Sequence, residues 1–178
     1  MSVSKKQTEQ ALKQFINEVV SKARTNLAKR GKNATGNLSK SISGDYKVSE
    51  NSFELSFSME DYGTFQDLGV SGKKVKYKTD YSYKDKMPPP SALDKWIVRK
   101  GIAPRDKSGK FTGRKISSVG FKKSIQFLIA RSIFFNGIKP TLFFTDAFNS
   151  GFKGLDETIT EAYGLDVETF LKYTLNAK

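Results

Sequence analysis

Apolar positions follow two rhythms along this chain, and the most apolar stretch carries the helical one. From Ser117 to Phe148 it reads SSVGFKKSIQFLIARSIFFNGIKPTLFFTDAF. Phe121, Ile125, Leu128, Ile129, Ser132 and Phe135 keep the three-and-four spacing that gathers side chains on one helical face. Phe127, Ile133 and Phe134 widen that face, which predicts a helix buried on more than one side. Gly137 stands where a left-handed cap would end the helix, and Ile138 where such a cap makes its apolar contact. Pro140 forbids continuation. A second apolar run, Leu142 to Phe148, starts at once. A helix–turn–helix supplying much of the core is therefore expected, at ~1.5–3 kcal/mol for each buried Leu, Ile or Phe.

The same rhythm predicts a long amphipathic helix over residues 4–30, with Leu12, Phe15, Ile16, Val19, Val20, Ala23 and Leu27 as its stripe and Gly31 as its cap. Thr35 can cap a single turn in which Leu38 and Ile42 face inward. The second rhythm, strict alternation, follows. Phe53, Leu55, Phe57 and Met59 alternate with Ser52, Glu54, Ser56 and Ser58, which predicts a β-hairpin of 45–50 with 52–59 turning at Asn51. Tyr46 and Val48 would face the same core. Tyr62, Phe65 and Leu68 are spaced as in a short helix ended by Gly69.

Ser91 is expected to cap a helix through Arg99, with Leu93, Trp96 and Ile97 on one face. Residues 103–115 read as a polar, basic loop. Beyond Pro140, Phe144, Phe148, Phe152, Leu155 and Ile159 predict one long helix to Ala162 despite Gly151 and Gly154. Gly164 would cap it, and Asp166 would start a last short helix carrying Val167, Phe170, Leu171 and Leu175. The fold expected is α+β: a long N-terminal helix and C-terminal helices packed on a small antiparallel β-sheet. Residues 1–178 form one domain in this reading, with a basic arm and loop inserted over 70–116.

Composition narrows the chemistry. The 178 residues include no Cys and no His, which removes disulfides, thiolate metal sites, the commonest zinc ligand and the commonest general base. No leader of the secretory kind opens the chain, and its longest apolar run is interrupted by Arg131, so a soluble cytoplasmic product without a membrane span is expected. Carboxylates are scattered. Asp156-Glu157 reads as a solvated pair, and Asp61 with Asp67 lacks the alternating acidic ligands of a calcium loop. Ser108-Gly109-Lys110 lacks the spacing of a phosphate loop. No enzyme, metal or cofactor is expected.

Charge changes the picture most. The net charge is +13, and it is uneven. Residues 1–60 hold 10 Lys/Arg against 6 Asp/Glu, residues 61–123 hold 16 against 6, and residues 124–178 hold 5 against 6. The middle third is thus a positive field that attracts polyanions or acidic protein surfaces. Within it Val75, Tyr77, Tyr81 and Tyr83 alternate with polar residues, and Pro88, Pro89 and Pro90 form a stiff spacer. These are candidates for an exposed strand or extended arm that contacts other subunits. Lys73, Lys74, Lys76, Lys78, Lys84 and Lys86 interleave with the tyrosines, a pattern that can neutralise phosphates and stack bases. Arg105, Lys107, Lys110, Arg114 and Lys115 extend the candidate surface for DNA or an acidic protein.

Three segments carry a family resemblance. Ala34-Thr35-Gly36-Asn37-Leu38-Ser39-Lys40-Ser41-Ile42 resembles the T-G-x-L-x-x-S-I signature of tail-component or neck proteins of long-tailed bacteriophages. Tyr62-Gly63-Thr64-Phe65-Gln66-Asp67-Leu68-Gly69 is similar to the aromatic segment that follows their hairpin. The run from Gly137 to Phe148 is similar to their closing segment. The resemblance implies a structural virion protein of the head–tail neck, made in the host cytoplasm. It implies a homo-oligomeric ring, six- or twelve-fold, that helps complete assembly. The implied neighbours are portal or adaptor proteins above, tail-tube or terminator proteins below, and genomic DNA in the channel. The alternative is a small cytoplasmic protein that binds nucleic acid without sequence preference.

Overall fold

The stripe near the N-terminus forms α1 (Lys6–Lys29), whose buried residues include Leu12, Phe15, Ile16, Val19, Ala23 and Leu27. This computed structural model describes residues 5–32, 35–49, 52–102, 108–113 and 119–176. Helix α1 ends as expected. Gly31 adopts a φ of 64°, the Lys32 amide donates to the Leu27 carbonyl and the Gly31 amide to that of Ala28, which together satisfy two terminal carbonyls. Next come α2 (Asn37–Ser41), β1 (Ser43–Val48), β2 (Phe53–Ser58), α3 (Tyr62–Leu68), α4 (Asp94–Arg99), α5 (Val119–Asn136), α6 (Phe143–Phe152) and α7 (Leu155–Asn176). The fold is α+β, with a long N-terminal helix and one small antiparallel sheet of two strands among the described residues. No helix among the described residues is long and apolar enough to cross a membrane. Contacts divide the chain into two compact units: Met1–Glu60 with Leu142–Lys178, and Asp61–Thr141.

In the first unit the hairpin pairs Gly44 with Phe57, Tyr46 with Leu55 and Val48 with Phe53, so the expected apolar positions share a face. That face packs on α1. A Cβ at Gly44 would lie 2.7 Å from Ile16 and 2.9 Å from Phe57, so only glycine allows this approach of strand to helix. Leu38 and Ile42 are buried with Ala23, Leu27, Phe143 and Ala147. Edge-on aromatic pairs extend the core: Phe15 with Phe148 at 5.9 Å and Phe57 with Phe144 at 5.3 Å.

The C-terminal helices differ from expectation in two places. The long helix expected from Phe144 onward breaks at Lys153 and Gly154, separating α6 from α7. Helix α7 then runs straight through Gly164 instead of ending there. Glycine costs about 1 kcal/mol in a helix interior, and packing on both sides offsets it: Ala162 precedes it and is buried, and Asp166 follows it and is buried. The Asp166 carboxylate accepts from the backbone amides of Gln7 and Thr8 (3.0 and 2.9 Å) and from the Thr8 hydroxyl (2.9 Å). It thus caps the start of α1 from 158 positions away in sequence.

In the second unit three expectations are corrected. Helix α5 forms with its cap at Gly137 (φ 74°), but it is not buried on more than one side. Gln126 and Ala130 are buried, whereas Phe127 is 47% exposed and Leu128 54%. Among the described residues α5 packs on a 3-10 turn at Pro90–Leu93 and on the six residues of α4, both much shorter than its own eighteen. Helix α3 forms as expected and ends at Gly69; its buried positions are Gly63 and Asp67, and Tyr62, Phe65 and Leu68 face outward. Pro90 itself begins the 3-10 turn, and Ser91 makes no capping hydrogen bond there.

Candidate interaction surface

The third correction concerns the arm. Residues 73–83 are not an extended strand but a loop folded back on the end of α5. The backbone amides of Lys73 and Lys74 donate to the carbonyls of Phe134 (3.0 Å) and Phe135 (2.8 Å), which α5 leaves open at its C-terminus. Ser71 is the hub. Its amide donates to the Tyr81 carbonyl, its carbonyl accepts from the Tyr83 amide, and its hydroxyl bonds both polar backbone groups of Tyr77. Buried polar backbone must be paired, and one buried serine satisfies a loop rich in lysine that has little apolar surface to bury.

The loop is joined to the segment after α5 almost backbone to backbone. Val70 and Ile138 exchange both main-chain hydrogen bonds (2.9 and 2.8 Å), and the Thr141 amide reaches the carbonyls of Gln66 and Asp67. An ideal Cβ at Gly72 would lie 2.2 Å from the Phe135 carbonyl, and one at Gly137 would lie 2.1 Å from that of Val70. Tyr62–Gly69 and the start of Gly137–Phe148 therefore meet directly.

The candidate contact residues fall as follows. Val75 and Tyr81 are exposed, and Tyr81 stands edge-on to Phe65 at 4.8 Å. Tyr77 is half-buried under the Ser71 hub. Tyr83 is half-buried beside Phe134, and that burial pushes its hydroxyl above the ordinary tyrosine value. Pro88 and Pro90 are half-buried and Pro89 is exposed. Lys73, Lys74, Lys76, Lys78, Lys84, Lys86 and Lys110 are all exposed. The Lys76 amine donates to the Gly72 carbonyl at 2.9 Å. Arg105, Lys107, Arg114 and Lys115 lie outside the described residues.

What the fold adds is a meeting of two cations on one ring. The Lys74 amine lies 5.3 Å from the centre of the Phe135 ring and the Arg131 guanidinium 5.7 Å from it. Leu128, Ser132 and Asn136 complete the shallow depression around them. Arg131 was not among the expected contacts. Its signal was present in the sequence: Lys123, Phe127 and Arg131 stand at i, i+4 and i+8, a mixed basic and aromatic stripe of which only Phe127 was assigned, to the apolar face.

Charge segregates between the units more sharply than between thirds of the chain. Residues 61–141 hold 18 Lys/Arg against 6 Asp/Glu, and the remaining residues hold 13 against 12. Nearly the whole net positive charge belongs to one compact unit. Compared with protein-family models, curated proteins and solved structures, the chain finds no match in any of the three.

Proposed function

We propose that this chain is a structural protein of the bacteriophage neck, forming a ring that joins the head connector to the tail and helps complete the virion. The observation that carries the reading is the junction at Val70 and Ile138. Beside it, two segments far apart in sequence, each similar to a neck-protein segment, are joined where the Thr141 amide donates to the Gln66 and Asp67 carbonyls, and at Gly69 and Gly137 the backbones lie too close for a side chain. The concentration of positive charge in residues 61–141 fits a subunit set beside packaged DNA or beside acidic neighbours in the connector. The role is architectural and calls for no catalysis and no cofactor. The test is quantitative mass spectrometry of purified tailed particles, counting copies against the portal ring. Six or twelve copies support the reading, and absence from particles overturns it.

The same charge segregation favours a second reading, a protein that binds nucleic acid without sequence preference. It requires that the purified chain bind duplex DNA with an affinity falling steeply and linearly on a log–log plot against salt. A flat plot removes it.

A further inference from the structure

Two exposed helical stripes of opposite charge occur in this chain, one in each unit. On α5, Lys123, Phe127 and Arg131 share a face with Leu128, and Lys74 joins them at the Phe135 ring. On α7, Glu157, Glu161, Gly164, Glu168, Leu171 and Leu175 repeat at alternating spacings of four and three, and all are exposed. Leu171 is 52% and Leu175 73% exposed, and the buried face of this helix, at Leu155, Ala162 and Asp166, points elsewhere.

We propose that the α7 stripe of one copy docks on the α5 stripe of a second copy. This takes the self-assembly of the proposed function as its starting point and names the two surfaces that meet. Three observations choose a protein helix as the occupant. The charges match, since Glu157 and Glu161 line α7, with Glu168 beyond them paired to Lys172 of the same helix at 2.5 Å, and cations line α5. Both stripes also carry large apolar side chains. A phosphate backbone would meet Lys123 and Arg131 but leave Phe127 and Leu128 in water, whereas a helix bearing Leu171 and Leu175 covers them. Third, a Cβ at Gly164 would meet nothing within 4 Å inside this chain, so no internal contact calls for glycine there, and bare backbone at that point lets a neighbouring helix approach closely. At 1.5 Å per residue the helices span roughly 27 and 33 Å, so each can lie along most of the other. The surfaces differ, so every copy offers one and receives one. Such a contact closes into a ring when its rotation allows.

The test is sedimentation velocity on the full chain at low and high salt, with circular dichroism as the check on folding. The wild type is expected to self-associate, less so as salt rises. One variant carries Glu161→Lys with Glu168→Lys, the other Lys123→Glu with Arg131→Glu. Each alone is expected to associate at least about tenfold more weakly, because like charges now face each other. Mixing the two restores association, since each then offers the other a complementary face. A monomeric wild type, unchanged association in both variants, or no recovery on mixing overturns the proposal. So does a Lys123→Glu, Arg131→Glu variant that loses duplex DNA but assembles normally, which assigns the stripe to nucleic acid. The neck reading stands or falls separately, on copy number in particles. A chain that assembles through these stripes but is missing from particles keeps this contact and loses that role.

Discussion

At Gly72 and Gly137 a single methyl group is too large. Gly72→Ala would drive a carbon into the Phe135 carbonyl, which cannot move without opening the end of α5. We expect it to lower unfolding free energy by about 1–3 kcal/mol, the usual cost of overpacking, read from denaturant midpoints. Gly31→Ala is the control. It meets nothing within 4 Å, so it costs only the left-handed backbone preference of about 1–2 kcal/mol. A Gly72→Ala chain as stable as the wild type would mean the two segments are not pressed together as described. Tyr83 offers a second residue-scale test. Burial favours its neutral hydroxyl, so its contribution to stability is complete below the ordinary tyrosine value of about 10. It is lost as pH rises through the raised value. Ultraviolet titration is expected to find one tyrosine ionising late, and Tyr83→Phe to remove that component.

Among the elements, α7 shows where local preference yields to packing. Gly164 sits in open space within the helix, so Gly164→Ala is expected to raise stability by about 1 kcal/mol in guanidinium unfolding. A loss instead would mean that the helix does not run continuously there. Elements whose apolar stripe met a ready partner were legible in the sequence: α1 with its Gly31 cap, the turn at Leu38 and Ile42, and the hairpin with its apolar face, though its strands pair over 43–48 and 53–58, with a register the alternation did not give. What stayed illegible depended on partners supplied by distant segments. The periodicity of α5 gives its helical state but not its rotation. The face the helix buries, at Gln126 and Ala130, is set by the short segments it packs on, which leave no mark on its own periodicity. The lysine- and tyrosine-rich segment alternated like a strand, yet it closed around Ser71, whose hydrogen bonds leave no periodic trace. Of the candidate surface, the basic character of 73–86 was legible, and the pairing of Lys74 with Arg131 across Phe135 was not, since it joins residues more than fifty positions apart.

For the molecule as a whole, the near-neutral unit is assembled from both ends of the chain and the basic unit from its middle. Asp166 ties those ends together at Gln7 and Thr8. Asp166→Ala is expected to cost about 1–3 kcal/mol, because it leaves buried donors unsatisfied, and to speed hydrogen exchange at the amides of Gln7 and Thr8 above the rest of α1. Uniform exchange along α1 in that variant would show that the carboxylate does not hold the helix start. The same link also bears on synthesis. A ribosome releases α1 and the hairpin that covers part of it early, but the rest of the cover of Phe15 and the cap of Thr8 come from Phe148, Leu155 and Asp166. At roughly 5–20 residues per second, the apolar stripe of α1 waits on the order of ten to thirty seconds for its cover. In that interval the basic middle unit has all its own residues and can fold. The first helix made is only half-enclosed by the hairpin until the C-terminal helices arrive, so aggregation during translation is a hazard concentrated on the part of its stripe, around Phe15 and Val19, that Phe148 and Leu155 complete.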